Sequence, residues 1–299
     1  MGTAGMIIVV VIFAAAAALG LILLISNEER KSFVVTHYTV RDARFSENER
    51  PVTAVVIADL HNHSFGSGNA KLLHAIDQAA PEAVFVAGDL VVAIPGHEVM
   101  VAADFICKLA KKYPVYYGVG NHEYRMALYP EKYQHQYAMY DRLLKEAGIE
   151  MMHNSRTRAK LGNVWVNVYG LEIDREYYKR FSHVSMRADY LLSLFPKPPA
   201  DQYSILLAHN PDYFSAYAAF GADLTLSGHV HGGLIRLFGR VLISPSRGLF
   251  PKYSSGRYTS GERQMIVSRG LVTHTLPIRL CNRPELVVLH FEGKGLENT

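Results

Sequence analysis

The stretch 224–233, LTLSGHVHGG, sets two imidazoles, His229 and His231, two residues apart just past a short apolar run. Gly228, Gly232 and Gly233 let the backbone bend there, because glycine reaches positive φ at no steric cost, so both rings can turn toward one point. Neutral imidazole is a ligand for Zn, Mn, Fe or Ni. An HxH turn alone is also an ordinary surface turn, and what gives this one weight is its company. Asp59 and His61 (DLH), Asp89 (GD), Asn121 and His122 (GNHE) and His209 (HNP) each follow an apolar, strand-like run. Two divalent cations about 3.5–4 Å apart need mixed oxygen and nitrogen ligands and a bridging carboxylate. These positions offer two aspartates, one amide oxygen and five histidines, one more imidazole than the metals use. Each has a plain alternative, as helix cap, turn or loop, but all five clusters stand at strand ends.

The elements that must position them follow from periodicity. Runs at 52–58, 83–87, 115–118, 203–208 and 224–227 read as buried strands, and helical spacing marks 71–80, 99–112, 133–147 and 187–195. Strands alternating with helices predict an α/β fold whose functional residues lie beyond the carboxyl ends of the strands. Segments 151–153 and 164–169 predict strands of a second sheet, and 264–268 and 285–291 two last strands. Tyr129, Tyr133, Tyr137 and Tyr140 fall at helical spacing, the pattern of a packed face more than of a substrate platform.

In order and wording the five clusters resemble the calcineurin-like metallophosphoesterases, whose blocks read D-x-H, G-D, G-N-H-[DE], H and G-H-x-H. The resemblance covers about 52–291. The HNPDYF at 209–214, the SRGL at 268–271 and the PIRLCNRPEL at 277–286 look like the family's membrane-associated bacterial branch, which includes phosphodiesterases and UDP-2,3-diacylglucosamine hydrolase-like enzymes. The resemblance implies two mixed β-sheets packed face to face with helices outside, a four-layer αββα sandwich. It implies two divalent metal ions (Mn, Fe or Zn), the first held by Asp59, His61 and His231, the second by Asn121, His209 and His229, with Asp89 bridging. His122 would face the substrate, stabilising phosphoryl charge or protonating the leaving oxygen, while a metal-bridging hydroxide attacks phosphorus. The implied activity is hydrolysis of a phosphodiester, phosphomonoester or pyrophosphate. After DLH this sequence reads Asn62-His63-Ser64 where the family commonly has apolar-Gly wording, and His63 is expected in a supporting or solvated role. Some members of the fold are silent scaffolds that bind proteins; here no ligand of the set is missing.

The 299 residues and 49% apolar content supply a real core, and a net charge of +4 with scattered basic residues gives no nucleic-acid footprint. Cys107 and Cys281 form no CxxC pair and read as two buried thiols. Residues 6–25, MIIVVVIFAAAAALGLILLI, are uncharged and long enough for a helix across the ~30 Å hydrocarbon layer. The segment MGTAG before them lacks the basic residues of a signal peptide, so an uncleaved single-pass anchor is expected, with cleavage and export the alternative. Arg30, Lys31, Arg41 and Arg44 follow it, which predicts a cytoplasmic domain. The expected division is an anchor at 1–26, a linker with an edge strand at 27–50, the phosphoesterase domain at 51–292 and a polar tail at 293–299. After HVH, the loop 234–257 interleaves apolar residues with Arg236, Arg240, Arg247, Lys252 and Arg257. It reads either as core strand with a solvated face or as a surface for anionic headgroups and a lipid-linked substrate. Arg236 and Arg240 are its candidate substrate contacts.

Overall fold

Strand period dictates the layers. Along Val52–Ile57 the side chains alternate, Ala54 and Val56 on one face, Val55 and Ile57 on the other, and both sets are buried. A strand buried on both faces belongs inside a stack. The computed structural model, which describes residues 2–46, 48–179, 184–244, 247–272 and 278–294, has two six-stranded mixed sheets. In the first, the order is Val34–Arg41, Glu285–Glu292, Val52–Ile57, Ala83–Ala87, Val115–Gly118 and Met151–Met152, parallel except where Glu285–Glu292 meets Val52–Ile57. In the second it is Gly256–Ser260, Arg263–Val267, Leu224–Ser227, Ser204–Ala208, Val164–Leu171 and Ser155–Leu161, parallel within and antiparallel at both outer pairs.

The sheets share one apolar layer, where Val56, Phe85, Val287 and Leu289 meet Val168, Ile205, Leu207 and Leu226. The outer face of the first sheet packs under the helices Ala70–Ala79, Met100–Ala110 and Gln136–Glu146, and that of the second under Ala188–Leu194 and Phe214–Phe220. This is the expected αββα order of layers. Met151–Met152 corrects one expectation: it pairs with Val115–Gly118 at the edge of the first sheet, and the chain enters the second only at Ser155–Leu161. That strand, SRTRAKL, is mostly exposed and polar, so it gives no apolar run to read.

The amino-terminal helix spans Thr3–Arg30, 28 residues that at 1.5 Å each are long enough, and apolar enough, to cross a membrane. It runs past residue 26, and Val34–Arg41 follows as the edge strand, which leaves little of 27–50 as linker. Its last turns dock on the domain. Arg279 N–H donates to Ser26 Oγ at 2.8 Å, and Cys281 and Asn282 N–H each donate to the Glu29 carboxylate at 3.0 Å. Cys281 is exposed and Cys107 partly so, where two buried thiols were expected. Of the tail, 295–299 lie outside the described residues.

The basic loop is neither buried core nor irregular. Ile235–Leu237, Arg240–Ser244 and Gly248–Leu249 form a small antiparallel sheet, with Phe238 and Gly239 both at positive φ in its first turn. Val241 is buried beneath it, but Phe238 is 102% exposed, Phe250 68% and Leu249 67%.

Candidate metal centre

Asp59, His61, Asp89, Asn121, His209, His229 and His231 all lie just past the carboxyl ends of five neighbouring strands, at the edge where the two sheets meet. The loops interlock through their backbones: Asp59 N–H donates to Gly88 O at 3.1 Å, His61 N–H to Asp89 O at 3.2 Å, and Gly228 N–H to His209 O at 3.0 Å. Two glycines permit the close approach. A Cβ on Gly88 would stand 2.7 Å from Gly120 Cα and from His209 Nδ1, and one on Gly228 2.5 Å from Asp59 Oδ2.

Strain gathers at the same points. Asp59, His61, Asp89, His229 and His231 sit at φ of 55°, 50°, 57°, 72° and 54°, a region non-glycine residues rarely occupy. Each such residue costs on the order of 1–3 kcal/mol, which the interlocked loops must sustain.

Three sets of side chains bring ligand atoms within 4.8 Å of one another: Asp59, His61 and His231; Asp89, His209 and His229; and His61, Asp89 and His122. His209 Nε2 lies 2.9 Å from Asp89 Oδ2 and 3.8 Å from Asp59 Oδ1, so the two carboxylates face one another across it. His61 Nε2 and His231 Nδ1 lie 3.8 and 3.7 Å from Asp59 Oδ1. Asn121 Oδ1 is buried with no hydrogen-bond partner among the described residues, the state of an oxygen reserved for a cation. Buried oxygens and imidazoles in this mixture fit divalent transition metals.

Hydrogen bonds at the far ring nitrogens sort the imidazoles. His209 Nδ1 faces Ala87 O at 2.6 Å and His61 Nδ1 faces Val91 O at 3.3 Å, so each donates there, which leaves Nε2, on the side of the carboxylates, as the nitrogen that could ligate a cation. His122 is reversed: its Nδ1 accepts from Ala93 N–H at 2.7 Å, so the neutral ring carries its proton on Nε2, 3.9 Å from Asp89 Oδ2. A protonated nitrogen donates and does not ligate.

The electrostatics follow from burial. Desolvation, followed by the charge of Asp89, pushes Asp59 up to about 7. Desolvation also acts upward on Asp89, but His209, His122 and His61 together hold it well below the usual carboxylate range. For His209, burial is outweighed by Asp89 and Asp59, which push it up to about 10. His229 lies well below the ordinary imidazole value, through burial and then the charges of His209 and Arg247.

Residues 52–233 match the family described as calcineurin-like phosphoesterase. The chain belongs to that family. Phosphodiesterase YaeI of Escherichia coli (strain K12) is 27% identical over 256 residues, 83% of this chain and 85% of YaeI. YkuE of Bacillus subtilis (strain 168), an uncharacterized metallophosphoesterase, is 40% identical over 87 residues, 29% of this chain and 30% of its own length. Cj0846 of Campylobacter jejuni, also an uncharacterized metallophosphoesterase, is 27% identical over 263 residues, 85% of this chain and 62% of that one. The match therefore spans less than two thirds of YkuE and of Cj0846, and most of YaeI.

Three residues of this calcineurin-like centre escape a sequence reading. Glu123, fully buried, accepts from the N–H groups of Asp89, Leu90 and Gly120 and from Tyr117 Oη at 2.8–3.1 Å, tying the GD and GNHE loops together. Burial, then the charge of Asp89, pushes it up to about 7. Its position three residues into the helix Asn121–Leu128, beside the N-cap, was the available signal. Tyr178 sets its ring 5.4 Å from that of His229. Arg247 lies 2.6 Å from Asp212 and donates to Asn210 Oδ1 at 3.2 Å, and it is the cation of the basic loop whose charge reaches His229. Arg236 is turned elsewhere, onto Ser255 Oγ and Gly239 O, with Arg269 and Glu285 as its charged neighbours, and Arg240 is exposed on the small sheet. His63 packs on Phe65 at 4.8 Å and belongs to none of the ligand sets.

Proposed function

We propose that the chain is a dinuclear-metal phosphoester hydrolase acting at a membrane. The observation that carries this is the opposed anchoring of His209 and His122 beside Asp89: a carbonyl holds His209 through Nδ1 and leaves Nε2 for a cation, while an N–H holds His122 through Nδ1 and leaves Nε2 its proton. Asp59, His61 and His231 would hold one cation and Asn121, His209 and His229 the other, with Asp89 shared. Bound there, divalent Mn, Fe or Zn supplies Lewis acidity and a nucleophile at neutral pH. The chain's own part is to fix the ester and handle the proton. His122 Nε2–H donates to the phosphoryl oxygens as charge grows and then to the leaving oxygen, while Ala93 N–H keeps the ring in the tautomer that can do so. The name of YaeI supports phosphodiesters among the ester classes the chain can take.

Two features support a membrane setting. The docked end of the apolar helix is held by 279–282, and Leu280 of that segment exchanges backbone hydrogen bonds with Leu234 and Arg236 of the small sheet. The exposed Phe238, Leu249 and Phe250 thus lie on an element tied to the helix exit. Phe238 and Phe250 also sit at φ of 49° and 50°, a costly place for bulky residues whose rings are left in solvent. Basic residues after the helix favour a cytoplasmic domain, which protease added to intact cells would leave uncut. Digestion from outside would reverse the orientation.

The deciding experiment loads the purified chain with Mn, Fe or Zn and offers a phosphomonoester, a phosphodiester and a pyrophosphate. Turnover of at least one of the three that depends on the metal is the expected result. Two metals bound with no turnover on any of the three leaves a silent scaffold.

A further inference from the structure

On the Asn121 side of the centre lies a cavity of about 480 Å³. Asn121, Tyr124, Arg125 and Leu128 line it. These are positions i, i+3, i+4 and i+7 of the helix Asn121–Leu128, so one face of the helix that begins with a proposed ligand forms a wall of the cavity. Arg175, Tyr178 and Lys179 also line it, and Tyr129, Lys132 and Tyr133 complete the rim. Tyr178, which also packs on His229, makes the cavity continuous with the second ligand set from the other side.

Its charge is one-sided. Arg125, Lys132, Arg175 and Lys179 line the cavity, no carboxylate does, and none of the four forms an ion pair among the described residues. Arg175 is held in place by Tyr129, whose Oη accepts from its guanidinium at 2.5 Å while the ring lies 5.7 Å from it. Cations on a convex surface are simply hydrated, but gathered in a concavity they focus a potential that draws anions. The volume is that of a site for an organic ligand, larger than one phosphoryl group needs.

Resting on the hydrolase reading above, we infer that this cavity receives a second phosphate of the substrate, with the tyrosine rings against the attached organic group. The preferred substrates are therefore diphosphate esters, cleaved at the phosphoryl group nearer the metals.

The test titrates inorganic pyrophosphate and orthophosphate into the metal-free full chain in detergent, by calorimetry. Pyrophosphate should bind about tenfold tighter or more, because charge-assisted contacts to a second phosphate are added. That preference should vanish in Arg175→Gln/Lys179→Gln and also in Arg125→Gln/Lys132→Gln. The two pairs lie on different elements, and thermal melting shows which of them folds, so the loss of one variant leaves the other decisive. With metals bound, the ratio of kcat/KM for a nucleoside diphosphate over bis(p-nitrophenyl) phosphate should fall about tenfold in the same variants. Equal affinity of the two anions for the wild-type chain, or a preference that survives both variant pairs, overturns the inference. Selective pyrophosphate binding without turnover of any ester would sink the hydrolase reading and keep the anion site. Turnover without that selectivity would do the reverse.

Discussion

The backbone N–H of Asn282 donates to the Glu29 carboxylate at 3.0 Å, and its side-chain amide donates to the carbonyl oxygens of His231 and Gly233 at 2.9 and 2.7 Å. One residue therefore joins the end of the apolar helix to the loop of a proposed metal ligand. Arg279, fully buried nearby, extends the joint: its N–H reaches Ser26 and its guanidinium the carbonyls of Arg269, Gly270 and Asn282. Burial lowers it to about 9, with the charge of Asp59 acting against that.

Replacing Asn282 with Ala removes both donors to the His231 loop, whose strained φ then lacks its support. Metal affinity should fall about 10- to 100-fold, the usual weight of a group that orients a ligand. Glu29→Ala removes an acceptor shared by two N–H groups, so it should lower thermal stability by roughly 1–3 kcal/mol while the metals remain bound. Metal content measured by mass spectrometry after dialysis separates the two cases. Unchanged metal retention in Asn282→Ala would mean that the loop holds itself.

Asp89 is the carboxylate that both ligand sets approach, 2.9 Å from His209 of one and with a ligand atom within 4.8 Å of His61 of the other. Asp89→Asn keeps the shape and removes the charge between two cations. Bound metal should drop and turnover should be nearly lost. Normal metal stoichiometry together with normal turnover in this variant would end the dinuclear assignment.

That Asp59, His61, Asp89, Asn121, His209, His229 and His231 gather at one place was legible because each is a polar residue just past an apolar strand, and such endings survive in any reading of period two. The helix Asn121–Leu128 was not, since its first residues look like a loop rich in chemistry and its length is only two turns. Glu123 shared that fate: a buried carboxylate serving backbone amides from two loops has no sequence signature beyond its place after the N-cap. The tyrosines divided. Tyr140 is buried as a packed face demands, but Tyr129 and Tyr133 precede the helix Gln136–Glu146 and both line the cavity, Tyr133 while buried. In the loop 234–257, residue type alone could not decide between core and surface, because both need apolar side chains alternating with cations. The backbone decided it by turning Phe238 outward at a two-residue hairpin turn.

His122 is tested by the tautomer argument. His122→Ala should retain its metals and lose turnover by about 10²–10⁴-fold. The deficit should shrink for esters with good leaving groups, which need no proton. Loss of a metal along with activity would make His122 a ligand, as its approach to His61 and Asp89 also permits.

Glu123→Gln replaces an acceptor with a group that presents two hydrogens to amide donors already pointing at it. The Asp89 and Gly120 N–H groups then lose a partner in a buried site. A stability loss of about 1–3 kcal/mol is expected in the metal-free chain, with weaker metal retention because Asp89 is no longer fixed from behind. Thermal melting with and without metal reads both effects. A variant as stable as the parent would assign the bond network no structural weight.

The exposed rings of the small sheet test the membrane reading apart from the helix. If Phe238, Leu249 and Phe250 enter the headgroup region, burying such side chains contributes about 1.5–3 kcal/mol each. Phe238→Asp/Phe250→Asp should leave the fold intact, because both rings are in solvent in the isolated chain. Turnover of a lipid phosphodiester in vesicles containing anionic lipid should then fall severalfold. Turnover of a soluble aryl phosphodiester in detergent gives the reference, since neither ring belongs to the ligand sets or the cavity wall. A parallel Phe238→Trp variant reports depth directly, through a blue shift of its emission on vesicles. Arg236→Glu/Arg240→Glu adds the charge arm: a drop confined to anionic vesicles is expected, with each cation near the surface worth about 1 kcal/mol. No blue shift, together with equal turnover on both substrates in both double variants, would confine membrane attachment to the helix and leave the hairpin without a lipid role.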